Sequence, residues 1–280
     1  MAVYKHGVYV TEQPTGVVAP VQSTAGLQVV IGTAPINRAS DPYRCTNVPI
    51  LATSLKEATA ALGYDDDYEK YTLCQSMGAC FKVLGVSPVV YINVLDPAKH
   101  KKTMTETTVQ VNSGVATVAV KDILLDKLVV KSASTTLTAG TDYTAAFDDD
   151  GYVTIAIIPG GKAASATSLT VSGTQIDPTA VTADDVVGGV NAQGVETGME
   201  VIRQIYPALN MTPGILLAPG WSENATVAAG LQAKTTGING VFRAVCIVDV
   251  DSSTTGAKMY TGVKQQKEKQ AITCLLYTSP

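Results

Sequence analysis

Apolar and polar positions change rhythm several times along the chain. The first two dozen residues hold short apolar groups, Val3-Tyr4 and Val8-Tyr9-Val10, broken by Pro14, Gly16 and Pro20. Prolines at that spacing forbid a helix and disfavour a buried central strand. An extended arm is therefore expected over 1–24. Its β-prone stretch at 7–11 becomes a strand only if another chain supplies the pairing edge.

Residues 27–31 (LQVVI) then form an apolar run closed by Gly32, the signature of a buried strand. Ser54 and Glu57 are spaced as a capping box, which starts a helix that should run to Leu62 and stop at Gly63. A second, longer helix is predicted from about Tyr68. It carries Leu73, Met77, Phe81 and Leu84 on one face and has Gly85 after it. Residues 88–95 read as another buried strand, so 25–97 has the order of an α/β layer.

From about 98 to 186 the helical period is lost. Short β-prone runs at 107–111, 115–120, 127–131, 152–158 and 168–172 are separated by turn residues at 112–114, 139–140, 148–151 and 159–161. This punctuation predicts a small all-β sandwich or barrel. After Gly188-Gly189 the α/β rhythm returns. A helix marked by Val195, Met199, Ile202 and Tyr206 is followed by a strand at 214–218. A helix capped by Ser222 carries Val227 and Leu231, and a strand at 242–248 ends in Asp249. The expected fold class is an α/β (mixed α+β) core, 25–97 and 187–273, with an inserted β domain at 98–186 and an extended N-terminal arm. Exposed loops near 97–102 and 183–190 are where such an insertion would enter.

Composition narrows the possible functions. Of 280 residues 46% are hydrophobic and 16% charged, so the chain folds; the few charges suit a surface that neighbours later cover. A net charge of −4 gives no footprint for nucleic acid, which needs clustered Lys and Arg. The one dense basic run, Lys99-His100-Lys101-Lys102, fits a solvated loop at the domain junction. No stretch reaches the roughly 18 apolar residues of a membrane span, and residues 1–7 lack the design of a secretory signal. No membrane insertion is expected, and the protein should be made and kept in the cytoplasm until something releases it. Cys45, Cys74, Cys80, Cys246 and Cys274 lack metal-ligand spacing and read as reduced, partly buried thiols.

Candidate chemistry is thin. Residues 159–162 (PGGK) lack the first Gly and the following Ser or Thr of a phosphate loop, and a hairpin turn is expected instead. Asp148-Asp149-Asp150-Gly151 lacks the spacing of a calcium loop and reads as a hairpin tip. Asp249 and Asp251, just past a predicted strand, are the one pair placed to hold a divalent cation in an α/β enzyme. With two histidines, His6 and His100, no general base stands near a nucleophile. Neither a catalytic residue nor a cofactor or metal site is expected.

The segments that resist a catalytic reading carry a resemblance. Residues 198–202 (GMEVI), 212–222 (TPGILLAPGWS), 227–234 (VAAGLQAK) and 244–251 (AVCIVDVD), with the Lys/Gln-rich helix at 257–271, resemble the core of contractile phage tail sheath proteins in the family's order. The N-terminal 6–12 (HGVYVTE) with Pro14, and 29–35 (VVIGTAP), agree. Residues 137–143 (LTAGTDY) and Asp150-Gly151 look like the β insertion of sheath proteins from Gram-positive phages and prophages.

The resemblance implies a structural subunit rather than an enzyme. Such subunits stack in rings, usually sixfold, around a tail tube, meet baseplate and tail terminator proteins, and contract to drive the tube through a host envelope. They assemble in the host cytoplasm and end in the virion tail. The extended arm lends a strand to a neighbouring copy, which assigns self-association to Val8, Tyr9, Val10, Thr11 and Glu12. The family continues well past 273, whereas residues 274–280 (CLLYTSP) match the translation of a sequencing adapter; the native sequence is expected to extend beyond this point. The alternative is an α/β metal- or nucleotide-dependent enzyme using Asp249 and Asp251.

Overall fold

The structure, a computed structural model, describes residues 26–250 together with Lys264 and Glu268, both of them helical and exposed. The arm with Val8, Tyr9, Val10, Thr11 and Glu12, most of the 257–271 helix, Asp251 and the 274–280 stretch lie outside the described residues. Helices and strands mix, with about a quarter of the chain helical and nearly a third in strands.

The first third begins with β1 (Gln28–Gly32), whose Val29, Val30 and Ile31 are wholly buried. An apolar run dry on both faces is what a central parallel strand requires. β2 (Pro49–Ala52) follows, and then α1 (Leu55–Leu62). Ser54 Oγ caps α1 by accepting from the Glu57 amide at 3.3 Å. The Glu57 carboxylate accepts from the amide and hydroxyl of Thr53 at 2.8 and 2.7 Å, one residue upstream of the cap. Gly63, at φ 74°, ends the helix at the predicted place.

The second predicted helix is interrupted in its register. α2 (Thr72–Met77) passes directly into a π-helical stretch, Gly78–Leu84, closed by left-handed Gly85. The wider π turn rotates the later residues. Leu73 and Met77 are buried, but Leu84 is 68% exposed and Cys80 takes the inward position. The single apolar face expected through Leu84 therefore ends near Phe81. β3 (Val89–Asn93) then returns fully buried.

In the middle of the chain the regular elements are strands, apart from one 3-10 turn at Leu125–Lys127. β4 (Lys101–Gln110), β5 (Val115–Val118), β6 (Val129–Ser132), β7 (Thr135–Thr136), β8 (Tyr143–Phe147), β9 (Val153–Ile157) and β10 (Ser168–Ile176) form two antiparallel sheets, ordered β4-β10-β6-β7 and β5-β9-β8. Both sheets contribute to one apolar cluster around Val118, Val130, Ile155 and Val171. All four predicted turns hold a glycine at positive φ (Gly114, Gly140, Gly151 and Gly160). The fourth, at 159–161, is not a hairpin: it opens the passage from β9 in one sheet to β10 in the other. Gly173 marks a register shift in β10, where an added Cβ would lie 2.8 Å from the Lys127 carbonyl oxygen.

The last part starts with α3 (Ala183–Val187) and a hairpin of β11 (Gly188–Val190) and β12 (Glu196–Gly198). Val195 thus belongs to a hairpin tip, 54% exposed, and not to the predicted helix. Gly198, at φ 58°, redirects the chain, and a 3-10 turn over Met199–Gln204 leads into α4 (Ile205–Leu209). Pro207 is tolerated in the first turn of α4, where its missing N–H has no intrahelical partner to lose. β13 (Ile215–Leu217), α5 (Ala225–Ala233) and β14 (Val245–Ile247) complete the described chain. β14 is shorter than predicted because Phe242 lies in a turn bridged to Ile238.

The main sheet has the order β14-β13-β1-β3-β2. β14, β13, β1 and β3 run parallel, and β2 lies antiparallel at the edge beside β3. The chain therefore leaves β1 towards β3 first and comes back on its other side with β13.

The main sheet and the two-sheet unit are joined by two chain crossings, near 96–102 and 176–185, and these clasp each other. His100 is buried, 2% exposed; its Nδ1 accepts from the Asp96 amide at 3.0 Å, and its carbonyl accepts from the Asp177 amide at 2.8 Å. Lys99 pairs with Asp185, and Lys102 lies 3.6 Å from Asp177. The three lysines of the basic run are exposed, as a solvated run would be, but His100 is buried and the run also fastens the two crossings. Burial opposes ionisation of Asp185, yet bonds from Lys99 and from the Thr182 hydroxyl and amide outweigh it and bring the carboxyl down to about 2.

A depressed carboxyl contributes stability above its unfolded pKa and loses it as pH falls through the folded one. Asp185→Asn should therefore be less stable than wild type at neutral pH, with the gap closing between about pH 4 and 2. Urea midpoints of both proteins measured across that range check it; a gap independent of pH would refute the assignment.

Candidate functional site

In an open parallel sheet, ligands settle beyond the carboxyl ends of the strands, where the chain reverses direction across the sheet. Here that point lies between β1 and β13. Tyr68, Glu69, Gln75, Trp221 and Glu223 border an open hollow of about 560 Å³ over it. Asp249, the described member of the predicted carboxylate pair, stands at the end of the adjacent β14.

The groups at this point are engaged with each other. Asp249 Oδ2 accepts from the Gly220 amide at 2.9 Å and from the Ser222 hydroxyl at 2.8 Å. The Asp249 amide donates back to Ser222 Oγ at 2.8 Å. Ser222 is wholly buried, so it joins the loop after β13 to the end of β14. It is not the helix cap expected; Asn224 caps α5 instead, accepting from the Thr226 amide at 2.9 Å. Sequence reasoning missed Ser222 in this role, since only the parallel pairing of β13 and β14 brings 222 to 249.

β1 ends in a similar closure. The Thr33 amide donates to Thr72 Oγ1 and the Thr72 amide to Thr33 Oγ1, at 3.3 and 3.2 Å. An added Cβ on Gly32 would lie 2.2 Å from Thr72 Oγ1, and one on Gly220 3.1 Å from Thr72 Cγ2. The start of α2 thus presses against both strand ends, where a phosphate-binding sheet leaves room for its ligand. Asn93 repeats the pattern beside it, its Oδ1 accepting from the Ala34 and Leu95 amides, each at 3.1 Å.

The other candidates are structural too. The Asp142 carboxylate accepts from the amides of Lys162 and Thr138, both at 2.9 Å, and those two bonds hold it below the usual carboxylate range. An acid thus already occupies the Lys162 amide of the 159–162 turn. Asp148 closes its turn as predicted, accepting from the Tyr152 amide at 2.8 Å. Cys74 and Cys80 are buried and Cys45 half-buried, all as thiols. Among the described residues no three His, Cys, Asp or Glu side chains gather as a metal-holding group, and no helix is long and apolar enough to cross a membrane.

What the surface does offer is apolar. β14 is the outermost described strand of the main sheet, and it exposes Val245 and Ile247 on one face while Cys246 is buried. Val241, 77% exposed, and the tilted Phe242 and Tyr206 rings, 4.9 Å between centroids, extend this region.

Comparison with known proteins agrees with this distribution of chemistry. No protein-family model matches the chain. Over 262 aligned residues, 92% of its length, it is 31% identical to the tail sheath protein of Burkholderia phage BcepMu. This chain is a relative of the phage tail sheath proteins. It spans about half the length, 51%, of that sheath protein. The enzyme alternative resting on Asp249 finds no support: the sheath relative has a structural name, and the Asp249 carboxylate joins two loops.

If Ser222 and Asp249 act as one clasp, Ser222→Ala and Asp249→Ala should each destabilise by about 1–3 kcal/mol. The double variant should cost little more than either alone. Urea unfolding of the four proteins tests this; additive losses would separate the two residues.

Proposed function

We propose that the chain forms part of a structural subunit of a contractile tail sheath, self-assembling in stacked rings around a tail tube and contracting to drive that tube through a host envelope. The observation that carries this reading is the alignment with a tail sheath protein over 92% of the chain. The strand ends, where Thr33 bonds Thr72 and Ser222 bonds Asp249, support a role other than catalysis.

In this proposal the segments 25–97 and 187–273 make the assembling core, and 98–186 is an inserted β domain facing outward. The arm at 1–24 adds its Val8–Glu12 strand to the sheet of a neighbouring copy. Strand addition joins chains through backbone hydrogen bonds, so the joint can persist while subunits turn. Sixfold rings are the expected symmetry, and a head-to-tail contact that does not close gives the helical stack. The tube protein, baseplate and tail terminator are the other partners. Assembly takes place in the host cytoplasm and the product sits in the virion tail.

The chain, concentrated and viewed by negative-stain electron microscopy and sedimentation, should form rings or tubes of uniform diameter. Val8→Asp with Val10→Asp should abolish them and leave the folded monomer's circular dichroism unchanged. A wild-type protein that stays monomeric at high concentration would count against self-assembly, and polymers indifferent to the two Asp substitutions would count against the arm.

A further inference from the structure

The two-sheet unit meets the main sheet through more than its two crossings. A short segment, Lys121-Asp122-Ile123-Leu124, is wedged between them. Ile123 belongs to the apolar cluster of the two sheets, while the next residue, Leu124, belongs to that of the main sheet. Both are at most 1% exposed. Asp122, just before them, turns the chain at φ 67°, a left-handed value that an Asp tolerates better than most residues.

Polar side chains from the main sheet's layer converge on this wedge. Tyr71, 1% exposed at the start of α2, donates its hydroxyl to Asp122 Oδ1 at 2.5 Å. Asn37 Nδ2 donates to the Ile123 carbonyl at 3.2 Å. Lys121 Nζ lies 3.3 Å from Asp65, which also pairs with Arg38 at 3.5 Å. Arg38 then reaches the Asp149 carbonyl at 3.0 Å, in the tip between β8 and β9. Gly151 makes that approach possible, since an added Cβ would lie 3.1 Å from Arg38 Nη1. On its own unit the wedge is tied to β10: the Leu124 amide donates to Thr174 and the Ile176 amide to Asp122.

We infer that this wedge is a lock which fixes the two-sheet unit to the main sheet's layer, so that the two turn as one body and the crossings are not a hinge. The Tyr71–Asp122 bond is its key. The donor Tyr71 is buried and Asp122 half-buried, so losing the hydroxyl leaves a partly dry acceptor without its donor, which is the costly kind of loss. A joint made of the crossings alone, or of surface ion pairs alone, would open readily. The inference concerns the chain by itself and does not depend on the sheath reading. Within that reading, a subunit's turn would carry the two-sheet unit along as a rigid lever.

Amide hydrogen exchange and 15N relaxation on the full chain test it. In the wild type, amides of the two-sheet unit and of the main sheet should share one rotational correlation time. The Leu124 and Ile176 amides should exchange as slowly as those of β1. Tyr71→Phe should speed exchange at 121–124 and 174–176 by about tenfold and leave β9 unchanged. Asp122→Asn keeps an oxygen acceptor and suits the same left-handed φ, so it should stay within about twofold of wild type. Unequal correlation times in the wild type would overturn the lock, whether or not Tyr71→Phe folds. A folded Tyr71→Phe with wild-type exchange at the wedge would overturn the role of the bond.

Discussion

Everything in the main sheet depends on β1 having neighbours on both sides and no water on either face. A central parallel strand can satisfy its backbone only through β3 and β13, and its side chains only through apolar packing. The polar groups that remain lie at its end, where the chain must turn away: Thr33, Thr72 and Asn93. Each is bonded to another part of the same chain, and Ser222 and Asp249 repeat the arrangement one strand further on. The position where many α/β proteins hold a ligand is therefore the position where this chain joins its own loops. That constraint ties the loops at the sheet end to one another across β1, β13 and β14.

The same economy of polar groups governs the connection to the two-sheet unit. Arg38 and Lys121 both pair with Asp65, and Tyr71 with Asp122, across a partly dry boundary. The opposing effects on Asp122 show the balance. Burial drives its carboxyl upward while the Tyr71 hydroxyl pulls it down, and burial prevails. Such a group is tolerated because Ile123 and Leu124, the two residues after it, are anchored in separate apolar clusters, which leaves its backbone little freedom to expose it.

Signals that are local in the chain were legible in the sequence. The β1 run, the Ser54–Glu57 box, the Gly63 stop and the Asp148 turn each rest on neighbours within a few residues. Signals made by distant pairing were not. β2 has an ordinary sequence, PILA, and becomes a strand because Leu51 finds Val90. Ser222 resembles a helix cap until parallel pairing brings Asp249 to it. The π stretch after Met77 defeats the helical period, because the shift of register comes from tertiary packing around Cys80 and not from propensity. His100 in a run of lysines reads as solvated, and only the return crossing at 177–185 shows why it is buried. The family resemblance was legible for a different reason: it rests on ordered short stretches, which survive where individual contacts cannot be read.

A protein that keeps its polar groups for internal joints leaves apolar and extended surfaces for its partners. Val241, Val245 and Ile247 lie exposed on the β14 side of the main sheet, far along the chain from the two-sheet unit. Exposed aliphatic side chains of this size gain most when another surface removes them from water, at roughly 25 cal/mol per Å² buried. The wedge at 121–124, in contrast, has its apolar residues already covered. The apolar side chains still open to water and the wedge that is already dry thus lie in different parts of the chain. A contact made at the first does not require loosening the second.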